Sequence, residues 1–165
     1  MASGSKLDRY FYSSVSFVFL VLTSIGFRRF FLEGKEVGGE VIPTPIKVLV
    51  ILHGTALTAW IILFCVQSLL IANRNRKLHM NLGWIGAAVA STIAISGPFV
   101  AVGAIRASPK AHLFGMSYPQ FLLPMLTEIA AFTVFVSLGI WYRKRPNIHR
   151  SMMLLGTLSI ISGST

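Results

Sequence analysis

Apolar residues run along this chain in long unbroken stretches. Four such stretches, residues 10–27, 48–72, 80–105 and 120–142, are separated by short segments that carry most of the Arg, Lys and Pro. Each is about long enough to cross a hydrocarbon core of roughly 30 Å at 1.5 Å per residue. None shows the alternation of period two that a membrane barrel requires, and lipid offers no partner to an open strand, so each stretch is expected to be an α-helix. A fifth stretch, residues 151–165, stops without a charged or aromatic anchor on its far side. It reads as the first part of a span whose remainder is missing, in a truncated chain. The first stretch is too long for a usual signal-peptide core, and Ser24-Ile25-Gly26 is a poor cleavage site, so it is expected to be retained. The predicted fold class is therefore all-α: a single transmembrane helical bundle over residues 1–165, with four complete spans and a partial fifth.

Composition agrees with the pattern. Of 165 residues, 54% are hydrophobic and 12% charged, against about 25% charged in an ordinary soluble domain. The net charge of +10 could suggest nucleic acid, but the cations are not gathered on a water-facing domain, and no nucleic-acid partner is expected. They sort instead by side of the membrane. Nine fall on the side of the N-terminal tail, the second loop and the fourth loop: Lys6, Arg9, Arg74, Arg76, Lys77, Arg143, Lys144, Arg145 and Arg150. Six, Arg28, Arg29, Lys35, Lys47, Arg106 and Lys110, fall on the other. The positive-inside rule then places the N-terminus in the cytoplasm. The lone Cys65 permits neither a disulfide nor a cysteine metal site within one chain. A phosphate-binding glycine loop, a nucleophile-base pair and an acidic cluster are all missing from the sequence, which disfavours hydrolytic chemistry.

The third span contains Gly97-Pro98, where a kink is expected, and small residues at three- and four-residue steps: Gly83, Gly86, Ala87, Ala90, Ala94 and Gly97. Such a stripe admits either a close helix or a flat ligand. Tyr10, Tyr12, Trp84, Trp141 and Tyr142 stand at span ends, as interfacial aromatics do.

Four histidines and one glutamate carry the candidate chemistry. His53 lies about 8 Å into the second span, on a stripe with Trp60 and Gln67 that should face protein. His112 reads as an ordinary loop residue. His79 immediately precedes the third span and His149 the fifth, on the same side and at matching depth. A neutral imidazole is the usual axial ligand of haem iron, and a bis-histidine haem needs two imidazoles on different helices at one level. His79 and His149 meet that condition, and the small or flexible residues that follow them, Gly83, Gly86, Met152, Met153 and Gly156, leave room for a macrocycle. The alternative is a pair of interfacial histidines bonded to headgroups or water. Glu128 lies about 12 Å into the fourth span. It reads either as part of a proton path, with His53 as a possible partner, or as a neutral acid bonded to a neighbouring helix.

Three segments together resemble a group of uncharacterised bacterial multi-pass integral membrane proteins: Leu52-His53-Gly54-Thr55-Ala56-Leu57-Thr58-Ala59-Trp60 with Phe64 and Gln67, Leu78-His79-Met80-Asn81-Leu82-Gly83-Trp84, and Arg145-Pro146-Asn147-Ile148-His149-Arg150-Ser151-Met152. That resemblance implies a bacterial inner membrane and further spans. A more distant similarity is to cytochrome b-561 proteins, which carry electrons between two bis-histidine haems near opposite membrane faces. It implies one haem between the third and fifth helices, where His79 and His149 match. The second haem is matched only by His53, because the fourth helix has no histidine. The expected function is thus a membrane protein binding b-type haem through His79 and His149, with His53 as a further candidate ligand, and passing electrons within the bilayer to or from an unidentified partner, with oligomer formation open. The competing expectations are a cofactor-free permease using Glu128 and His53, and a structural membrane subunit.

Overall fold

Two helix starts in this protein, those of α4 and α6, are set by residues upstream of the apolar runs. The computed structural model describes residues 6–35, 41–107, 112–113 and 116–161. Helix α1 covers Lys6–Gly26, a short α2 Arg28–Glu33, α3 Lys47–Ala72 after a 3-10 turn at Thr44–Ile46, α4 Arg76–Ala107, α5 Tyr118–Trp141 and α6 Pro146–Ile161. A two-residue hairpin, β1 His112–Leu113 and β2 Met116–Ser117, joins α4 to α5, with His112 opposite Ser117.

Helix α4 begins at Arg76 because Asn75 Oδ1 accepts the Leu78 backbone N–H at 3.2 Å, an N-cap bond. Helix α6 begins at Pro146, whose fixed φ suits a first helical position. Both starts precede the hydropathy boundaries by four or five residues. His79 and His149 therefore sit inside their helices, where the sequence pattern placed them just outside. Pro98 interrupts neither α4 nor its assignment as one helix.

Three helical segments are long and apolar enough to cross a membrane: Thr44–Ala72, Arg76–Ala107 and Pro119–Trp141. The apolar part of α1, Tyr10–Gly26, falls short of that length, and α6 has 16 residues. Much of the apolar surface faces outward, as in a lipid solvent: Trp84 is 79% exposed, Trp141 80% and Leu123 74%.

The helices pack as two hairpins, α3 with α4 and α5 with α6, joined by contact between α4 and α5, with α1 against α3 and only lightly against α6. The two tight turns lie at one end, here the turn end; α2 and the β-hairpin lie at the other, the hairpin end. The row is curled into a bundle by a shared core of Phe19, Ala56, Trp60, Ile61, Ala90, Ile93, Phe132, Val136 and Ile160, drawn from all five long helices. Trp60 is its hub. Its indole N–H donates to Thr157 Oγ1 of α6 at 3.2 Å, and its ring meets Phe132 of α5 edge-on at 5.0 Å. The α5–α6 contact depends on small residues: a Cβ on Gly156 would lie 2.9 Å from Val136 Cγ2, and one on Gly139 2.7 Å from Met153 Sδ. At the hairpin end Lys35 Nζ approaches Glu33 Oε2 at 2.9 Å, and its hydrogen bond and charge hold that carboxyl below its ordinary pKa.

Candidate functional site

Two histidines occupy equivalent positions at the turn end. His79 N–H donates to Asn75 O at 3.2 Å and His149 N–H to Arg145 O at 2.9 Å, so each is the fourth residue after its cap and closes the first α-helical bond. The two helix starts bring the imidazoles face to edge, with ring centres 6.1 Å apart and planes at 84°. His149 Nδ1 lies 2.8 Å from Gly139 O. A carbonyl can only accept, so Nδ1 carries the proton and Nε2 keeps its lone pair. That is the arrangement found for metal-ligating histidines, whose second nitrogen donates to a carbonyl or carboxylate. The Gln67 backbone carbonyl lies beside the His79 ring, yet His79 Nδ1 is buried with no hydrogen-bond partner.

Two other buried side-chain polar atoms without partners are found among the described residues, Ser13 Oγ and Gln67 Oε1. All three belong to the turn end, on α1, α3 and α4. Ser16 Oγ and Ser68 Oγ meet at 2.8 Å and join α1 to α3 at that level. An unsatisfied buried polar atom costs about 1–3 kcal/mol, and these three gather at the turn end.

The glycine stripe of α4 differs along its length. Near the hairpin end it is filled: a Cβ at Gly97 would lie 2.6 Å from Ile129 Cδ1 and 3.2 Å from His53 Cε1. One and two turns below His79, on the same face, Gly83 and Gly86 have nothing within 4 Å of a built Cβ. Two imidazoles on opposite sides of one iron, each nitrogen about 2 Å from the metal and about 1 Å from its own ring centre, need ring centres about 6 Å apart. The ring-centre spacing and the His149 tautomer match that requirement, while Gly83 is exposed on α4. No group of three or more His, Cys, Asp or Glu suited to a metal ion occurs among the described residues.

His53 does not join this pair. It lies fourteen residues from Gln67, about 20 Å along α3. Its Nδ1 is 2.8 Å from Ser96 Oγ, which itself donates to Thr92 O at 2.6 Å. With its proton so committed, the Ser96 oxygen accepts from His53. The stripe foreseen on α3 does turn inward: Trp60 is buried and Gln67 half-buried. Glu128 is half-buried on α5, next to the Ile129 that packs on Gly97. It stands in the His53 half of the bundle, eleven residues from Gly139, about 16 Å along the helix. The backbone of His112 lies in β1 at the hairpin end.

Sequence reasoning missed Ser13, Ser16 and Ser68. Their signal was present in part, since Ser13, Ser16 and Thr23 recur on one face of α1 and all three are buried. No family model, no curated protein and no solved structure matches the chain.

Proposed function

We propose that the protein is a multi-pass protein of the bacterial cell membrane, N-terminus cytoplasmic, that binds b-type haem between His79 and His149 and passes electrons within the bilayer. The observation that carries this reading is the pair itself, two imidazoles from separate helices with centres 6.1 Å apart and crossed planes. The nine-to-six distribution of Lys and Arg supports a cytoplasmic turn end.

Bound haem iron supplies a one-electron ferric–ferrous couple. The chain's own residues do the rest. Gly139 O holds the His149 Nδ1 proton, which fixes the ring orientation and raises the basicity of Nε2. Gly83 and Gly86 leave the α4 backbone beside His79 without side-chain cover, where a flat group could approach it.

The test is to titrate the detergent-purified full chain with protohaem and record oxidised and reduced spectra. A saturable Soret band with sharp reduced alpha and beta bands is expected, lost in His149→Ala and His79→Ala and retained in His53→Ala. A spectrum unchanged from free haem in detergent would overturn the reading.

A further inference from the structure

The turn end gathers positive charge that the chain itself does not balance. Arg74, Arg76 and Lys77 of the α3–α4 turn and Arg143, Lys144 and Arg145 of the α5–α6 turn are all exposed. The chain has five carboxylates, and four of them belong elsewhere: Glu33 is at the hairpin end, Glu36 and Glu40 follow it in the same loop, and Glu128 is in the His53 half of the bundle. Only Asp8 is left, near the start of α1, and one carboxylate cannot balance six cations. These cations stand at the heads of apolar stripes. On α4, Lys77, Met80 and Trp84 follow at three- and four-residue steps, so they share a face, and all three are exposed. On α5, Val134, Leu138 and Trp141 do the same, and the chain passes from Trp141 through Tyr142 directly into Arg143-Lys144-Arg145. Arg145 lies over the Tyr142 ring at 5.8 Å, which keeps its guanidinium at the level of that helix end.

We infer that the turn end binds anionic phospholipid, its headgroup phosphate taken by the cations of the two turns and its acyl chains lying along the stripes that carry Trp84 and Trp141. The inference rests on the membrane-spanning reading and is independent of haem. Clusters of Lys and Arg beside spanning helices attract acidic lipids, and a guanidinium suits a phosphate because its planar N–H donors can meet two oxygens. The choline of a zwitterionic headgroup would add one more cation to a set that is already unbalanced. A nucleic acid or an acidic protein would engage the cations alone. A phospholipid engages cation and apolar stripe together, in the order in which each helix presents them.

Trp84 and Trp141 serve as reporters, because the third tryptophan, Trp60, is only 3% exposed and out of reach of lipid. The full chain is reconstituted into dioleoylphosphatidylcholine vesicles that contain either dibrominated phosphatidylglycerol or dibrominated phosphatidylcholine, and quenching of its fluorescence is followed against the fraction of brominated lipid. A preference of roughly fivefold for phosphatidylglycerol is expected for each engaged cation, and it should fall as salt is raised. In a Trp84→Phe background, which leaves Trp141 to report, the combined changes Arg143→Gln, Lys144→Gln and Arg145→Gln should bring the preference close to one. Arg28→Gln with Arg29→Gln, at the hairpin end, should leave it unchanged. Equal quenching by the two lipids in the unaltered chain would overturn the inference and leave the membrane reading standing, as would a Trp141 preference that survives loss of the three cations. Absence of quenching by either lipid would remove the membrane reading and this inference with it. Because the comparison of lipids needs no substitution, misfolding of a variant cannot imitate its result.

Discussion

The two halves of the bundle hold the same kind of residue in opposite states. In the hairpin half His53 is satisfied by Ser96, whose own proton goes to Thr92 O, and Gly97 is covered by Ile129. In the turn half His79 Nδ1, Gln67 Oε1 and Ser13 Oγ are buried without partners, and Gly83 and Gly86 face open space. Both halves draw on one glycine stripe of α4 and one inward stripe of α3. The difference shows that neither a buried histidine nor a small-residue face identifies a site. What sets the turn half apart is its cluster of unspent hydrogen-bonding capacity.

The contrast is broken most strongly at glycine. Gly139→Ala puts a methyl 2.7 Å from Met153 Sδ, in the contact that also carries the carbonyl bonded to His149. Overpacking of this kind costs about 1–3 kcal/mol, and it should appear as a lowered midpoint of unfolding in detergent together with weaker haem binding. Gly86→Ala meets nothing. It should stabilise the unloaded protein by up to about 1 kcal/mol through helix propensity, yet still lower haem affinity, because the added methyl occupies the open face. If Gly86→Ala left haem affinity unchanged, that face would not be part of the site.

Much of the architecture could be read from hydropathy. The runs at 48–72, 80–105 and 120–142 correspond to the three helices that reach spanning length. Helix starts could not, because they depend on an Asn75 side chain and a Pro146 ring outside the apolar runs. The His79–His149 pairing was legible as a match of depth, and its closeness was not, since it depends on how α5 holds α4 and α6 apart. Ser16 and Ser68 were invisible for another reason. A serine in a helix usually bonds its own backbone, as both do here with Ser13 O and Cys65 O, and only packing shows that they also meet each other. Likewise Gly83, Gly86 and Gly97 look alike in sequence. Only the neighbours Ile129 and His53 separate the filled end of the stripe from the open one.

Serine substitutions sharpen the comparison with smaller effects. Ser96→Ala removes the acceptor of His53 Nδ1 and leaves a half-buried imidazole nitrogen unpaired. Loss of one partner from a buried hydrogen bond costs about 1–2 kcal/mol, so the unfolding midpoint should fall. Ser13→Ala deletes an atom that has no partner in the unloaded protein. It should leave the midpoint unchanged or raise it. Measured side by side by thermal unfolding in one detergent, the two variants should differ in sign or in size. Equal losses would mean that Ser13 is as well satisfied as Ser96, and that the turn end has no spare hydrogen-bonding capacity.

The smallest effect is expected at the turn that sets the register of His79. Helix α3 ends with Arg74 at φ +60°, a left-handed conformation, and Asn75 N–H reaching back to Leu70 O at 2.8 Å. That is the closing geometry of a helix terminus that favours glycine. A side chain there costs about 1 kcal/mol relative to glycine, so Arg74→Gly should raise the unfolding midpoint slightly and leave Asn75 to cap α4 as before. The haem spectrum should keep its band positions, since the turn's shape is unchanged. A shifted spectrum would show that Arg74 acts on the site through its charge.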